Sequence, residues 1–87
     1  MKIAAAAILR DGRAWTGIRH HLIMRQMLEE LGPGIAPIDD PQGFVTDDGR
    51  FVEREEAAKI AFDAGQIQKP KKVLFSEDVF KMPKEDS

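Results

Sequence analysis

Arg50, Phe51 and Arg54 lie within five residues of one another. An arginine beside an exposed aromatic ring is one way to hold a nucleobase together with its phosphate. The ring stacks on the base and the guanidinium forks onto phosphate oxygens. A plainer reading has Arg50 paired with Asp47 across a tight turn and Arg54 solvated in the first turn of a helix; the sequence leaves both open. "RHH", Arg19 to His21, opens another candidate. Adjacent histidines on a helix diverge by about 100° and cannot share a metal, and no His-x-x-x-His or Glu-x-x-His spacing is present. Arg19, close to the free N–H groups of a helix start, is suited to a phosphate, or is simply a solvated junction residue. "KPKK" sets Lys69, Lys71 and Lys72 within four residues, a small basic knot that would attract a compact anion or stand in solvent.

Two aspartate pairs, Asp39/Asp40 and Asp47/Asp48, raise the possibility of magnesium in a phosphoesterase. Both lie in turn sequences, where Asp is favoured because its carboxylate bonds the local backbone, and the turn reading is preferred. Ser76 and Ser87 are the two serines, and neither has a base at a known catalytic spacing. No motif calls for a cofactor.

The elements that must position these residues fit one small α+β domain, an antiparallel sheet of hairpins packed against two amphipathic helices. Lys2 to Leu9 reads as a buried strand, with a short helix as the competitor because alanine is a poor strand former. "RDGR" favours the strand, since Asp-Gly supplies the two positive-φ positions of a type I′ hairpin turn, and "AWTGI" returns. His20 to Leu31 is a helix with Ile23, Met24, Met27, Leu28 and Leu31 on one stripe, stopped by Gly32 and Pro33. Three prolines and two glycines in "GPGIAPIDDP" make a loop. A second hairpin turns at "DDG". If Asp48 and Gly49 are its centre, Thr46 faces Phe51 and Val45 faces Val52. The valines then enter the core, and Phe44 and Phe51 lie on the second face. A three-residue turn would instead shift the register and send Phe51 inward. A helix follows at about Arg54 to Ala64, with Ala57, Ile60, Ala61 and Ala64 inward, Ala58 and Phe62 beside them, and Gly65 as its cap. "VLF" is a short last strand, Ser76 caps a final turn, and residues 81–87 form a flexible tail after a single domain at 1–80.

The totals set limits. Eighty-seven residues make one domain with a limited core. Hydrophobic content of 43% with 32% charged residues is a globular balance, and a net charge of −2 gives no electrostatic case for duplex nucleic acid. The chain has no cysteine, which excludes disulfides and suits a reducing compartment. The longest apolar run, Ile3 to Leu9, is far short of the ~20 residues that span a bilayer, and "RDGR" follows it without a small-residue cleavage site, so no membrane segment or leader is expected.

"RHH" before an amphipathic helix, "QGF", "GRFVEREEA", "AGQI" and a closing "LFSED" together resemble the first described family of Thoeris anti-defence proteins of phages and prophages. The resemblance covers Lys2 to Phe80. It implies a sponge acting in the cytoplasm of an infected bacterial host, not an enzyme. That family binds cyclic ADP-ribose isomers made by TIR-domain defence proteins, and some members take cyclic oligonucleotide signals of CBASS immunity at a separate site; the ligands are kept intact. Its fold is a small α/β unit assembled as dimers and, in some members, hexamers, with ligands at subunit interfaces. By this resemblance Phe44 would be the stacking aromatic, Glu53 and Arg54 would supply polar contacts, and Arg50 would assist. Arg19 with Lys71 or Lys72 would serve the cyclic oligonucleotide site. A lysine there is a point charge where the fork of an arginine would bind better. The segment between Gly65 and the last strand is short for the family. The rivals are a small phosphoesterase using the aspartate pairs with His20 or His21, and a protein-binding phage module.

Overall fold

A computed structural model describes residues 1–80; the proposed tail, 81–87, lies outside the described residues. The fold is α+β. Strands β1 (Ile3–Arg10), β2 (Arg13–Gly17), β3 (Gln42–Thr46) and β4 (Phe51–Glu53) form one antiparallel sheet in the order β2-β1-β3-β4. Helices α1 (His20–Leu31) and α2 (Arg54–Asp63) pack on one side of it, and a single turn, α3 (Ser76–Val79), follows.

The first hairpin turns as its sequence requires. Asp11 and Gly12 both take positive φ, 51° and 78°, and Arg10 pairs with Arg13. The two hairpins then join through β1 and β3, a pairing across distant sequence that puts the alanine-rich strand in the middle of the sheet. A register shift between Ile3 and Ala5 keeps Ile3, Ala6 and Ile8 on the helix-covered face. Those three join Trp15, Phe44, Val52, Ile23, Met27, Ala57, Ala58, Ala61 and Leu74 in the core. Each fully buried large aliphatic or aromatic side chain there contributes about 1.5–3 kcal/mol. The alanines of α2 let its backbone lie close to the sheet. The stripes of both helices are narrower than expected: Leu31 and Ala64 are exposed, and Phe62 is 41% exposed.

The second hairpin differs from the two-residue turn. Thr46 N–H donates to the Arg50 carbonyl at 2.9 Å, which leaves Asp47 to Gly49 as a three-residue turn. Val45 therefore faces Phe51, and Phe44 faces Val52. Phe44 and Val52 enter the core, while Val45 and Phe51 share the opposite face. The register is that of the longer turn, but Phe51 stays out of the core: pairing with Ala6 of β1 puts Phe44 on the helix-covered face, and the turn then puts Val52 beside it. Thr46 favours the longer turn: its hydroxyl donates to the Asp48 carboxylate and accepts from Arg50 N–H at 3.2 Å, so the turn closes around a 1%-exposed threonine. That hydrogen bond also holds the Asp48 carboxyl below its usual range.

Residues 73–75 do not form the expected last strand; they run in irregular backbone tied by Leu74 N–H to the Arg54 carbonyl at 3.1 Å. Ser76 does not cap α3. The Asp78 carboxylate accepts Phe75 N–H at 2.8 Å, and Asp78 N–H donates to the Phe75 carbonyl at 2.9 Å. The block "AGQI" is structural: Gln66 accepts Ile3 N–H at 2.8 Å and donates to the Ile3 carbonyl at 2.9 Å, clamping the start of β1.

Candidate functional site

Phe44, expected as the stacking ring, is 0% exposed, and its ring meets that of His20 in a T-shaped contact with centroids 5.4 Å apart. Its position in the sheet turns it into the core, so no face is open to a ligand. Glu53 is exposed on the rim of a cavity of about 440 Å³ between Leu9, Pro41 and Phe51. Glu55 and Glu56 line the same cavity, an acidic setting that repels phosphate. Arg50 pairs with Glu56 at 3.1 Å, not with Asp47; both side chains are about half exposed, so the pair adds little stability.

The other nominated cations converge elsewhere. Arg54, at the first position of α2, donates to Gln42 Oε1 at 2.8 Å, and its guanidinium carbon stands 5.2 Å from the centroid of the Phe75 ring. The Lys71 ammonium stands 5.3 Å from the same centroid and pairs with Asp78 at 2.7 Å. Arg19, just before α1, donates to the carbonyls of Ser76 at 3.2 Å and of Phe80, gathering the end of α3. Behind these lies His20, 8% exposed, with Nε2 donating to the Gly43 carbonyl at 2.8 Å. Lys72 is exposed beside Lys71. Arg54 and Lys71 thus meet at one exposed ring, with Gln42 bonded to Arg54 behind it and Arg19 bonded to the two ends of α3.

Phe75 is 40% exposed. Both cations stand over the ring, so a base stacks where they leave ring surface open, and a phosphate meets their charges. Asp78 limits the positive potential. Partial burial pushes its carboxyl up, but the Lys71 hydrogen bond, the Phe75 N–H and the lysine charge outweigh that and hold it below the usual range. It is therefore ionised and offsets Lys71. Phe75 was missed as a site residue because "VLF" reads as a buried strand. The Gly65–Lys72 connector instead releases it to the surface, and an arginine and a lysine far apart in sequence then flank it.

The residues of the phosphoesterase reading are dispersed. Asp40 is paired with Arg10 at 2.7 Å, Asp47 accepts Lys2 N–H at 3.2 Å, and Asp48 is held by Thr46. Among the described residues no group of three His, Cys, Asp or Glu side chains is placed to hold a metal. No helix among them is long and apolar enough to cross a membrane.

A family model described as phage T4 y16D protein matches residues 2–80. The chain belongs to the phage T4 y16D protein family. No curated protein and no solved structure gives a match.

Proposed function

We propose that this phage protein binds a cyclic nucleotide immune signal and sequesters it intact, without catalysis, in the cytoplasm of the infected host. The class of signal, cyclic ADP-ribose isomers with cyclic oligonucleotides as a second class, rests on the resemblance to Thoeris anti-defence proteins. The single structural observation in support is the exposed Phe75 ring flanked by Arg54 and Lys71. A base stacked on that ring is worth about 1–3 kcal/mol, and Arg54 is oriented by Gln42 to meet a phosphate oxygen. Phe75 takes over the stacking role first assigned to Phe44, Arg54 keeps its polar contact, Lys71 moves from the separate cyclic oligonucleotide site to this one, and Arg19 acts by holding α3 in place.

The active form is proposed to be an oligomer, a dimer or a hexamer. The sheet face opposite the helices carries Ala5, Leu9, Val45 and Phe51, none of them in the core cluster, and a second copy would cover it.

The test is direct. The protein is incubated with a cyclic ADP-ribose isomer, separated from free ligand and denatured by heat, and the supernatant is chromatographed. Recovery of unaltered ligand is expected. Hydrolysis products would establish an enzyme instead, and absence of any bound cyclic nucleotide, with no thermal shift, would leave a protein-binding module.

A further inference from the structure

We propose a second small-molecule site, for a flat aromatic monoanion, between the tip of the first hairpin and the C-terminal end of α1. A cavity of about 450 Å³ lies there, lined by Arg10, Asp11, Arg13, Trp15, Leu31 and Ile35, and its volume falls within the range of small-molecule sites. Arg10 and Arg13 pair across the turn. Strand alternation puts Arg13 on the same face as Trp15, and its guanidinium carbon lies 3.8 Å from the Trp15 ring centroid.

A guanidinium stacked in this way has used one of its faces. Its other face and its in-plane N–H edge remain for a second planar group. Arg13 is exposed and forms no ion pair among the described residues. Arg10 is different: it donates from Nη1 to Asp40 at 2.7 Å, which fixes its direction and leaves its remaining donors for a ligand. The opposite wall is apolar. Leu31 is 46% exposed and Ile35 half-buried, and both border this cavity.

The charges decide the ligand class. Asp40 cancels Arg10, and Asp11 on the turn offsets part of Arg13. The site suits one negative charge and gives a polyanion no advantage. An aromatic carboxylate fits, with its ring between the free face of Arg13 and the Leu31 wall and its oxygens on the guanidinium edges. The arrangement involves neither Phe75 nor Lys71, so it stands or falls apart from the function proposed above.

Trp15 is the single tryptophan and lines this cavity, so its emission reports occupancy there. Full-length protein is titrated with benzoate, with acetate and benzyl alcohol as the charge-only and ring-only arms. Benzoate is expected to give a saturable change, and the other two are expected to give none over the same range. Arg13→Gln is expected to weaken benzoate by about tenfold or more, from the loss of a charge-assisted contact, with the unfolding midpoint retained. Leu31→Ser should weaken it as well. The Trp15 indole N–H resonance gives a reading independent of any quenching by Arg13. A linear benzoate response, an equal response to acetate, or unchanged affinity in both variants would overturn the proposal.

Discussion

The His20 imidazole donates from Nε2 to the Gly43 carbonyl at 2.8 Å, joining the first residue of α1 to β3 inside the core. Burial holds the ring below its ordinary pKa of 6.5. The Gly43 carbonyl opposes that shift, Arg54 adds to it, and Glu77 and the Ala7 carbonyl oppose it more weakly. The unfolded chain therefore takes up a proton at a higher pH than the folded one. Stability is complete above pH ~6.5 and is lost as pH falls from there through the lower folded value. The urea midpoint should be lower at pH 5.5 than at pH 7.5, and the difference should shrink in His20→Gln. The lowered carboxyls of Asp48 and Asp78 act in a more acidic window, below pH ~4. An undiminished difference in the variant would assign the pH dependence to other groups.

Gly43 is required by its surroundings and not by a turn. A Cβ there would lie 2.2 Å from the Val52 carbonyl oxygen and 2.9 Å from the Phe51 ring. The first neighbour is backbone of the paired strand and cannot swing away. Gly43→Ala is expected to destabilise by about 1–3 kcal/mol, as overpacking does, measured as a drop in the denaturant midpoint.

Phe44 and Phe75 exchange the consequences first expected of them. Phe44→Ala removes a fully buried ring and should cost roughly 3–5 kcal/mol of stability, so its effect on ligand is secondary to its effect on folding. Phe75→Ala should leave the unfolding midpoint within about 0.5 kcal/mol and weaken cyclic nucleotide binding by about 1–3 kcal/mol. Calorimetric titration of both variants separates the two roles. An unchanged affinity in Phe75→Ala would remove the ring from the site.

Gln66 makes two hydrogen bonds to Ile3, one through each end of its amide. Gln66→Ala leaves both groups of the Ile3 backbone without that partner and should cost about 1–3 kcal/mol. Hydrogen exchange at the Ile3 amide should rise selectively in that variant.

A subunit of 9.8 kDa that meets copies of itself through the Val45 and Phe51 face should scatter light as a much heavier particle. Phe51→Lys should lower that mass by placing charge on the face. A monomeric wild-type particle would remove the oligomer from the proposed function.

Much of the fold was legible because local chemistry dictated it. Asp11-Gly12 forced the first hairpin, the Ile23–Met27 spacing gave α1, and Gly65 with φ of 76° ended α2 as a cap. What misled was a choice one atom wide. "TDDG" can turn on two residues or three, and the Thr46 hydroxyl, bonded to Asp48 and Arg50, selects three. That choice sets which residue of β4 shares a face with Phe44; the face of Phe44 itself comes from its pairing with Ala6 across β1 and β3, a contact between distant segments that local pattern does not carry. The candidate site was half legible: Arg54 and Lys71 were nominated, but for two separate pockets, and the ring they share was not. Its exposure depends on how the connector crosses α2, and local periodicity carries no signal for that. The Arg13–Trp15 stack was equally invisible, since it depends on the direction of one flexible side chain.

Arg19 holds the carbonyls of Ser76 and Phe80, so one side chain just before α1 tethers a turn 57 residues further along the chain. A helix of four residues is too short to persist by itself. Its order is borrowed from that arginine, and a substitution at Arg19 would loosen the backbone beside Phe75 while leaving the ring itself unchanged.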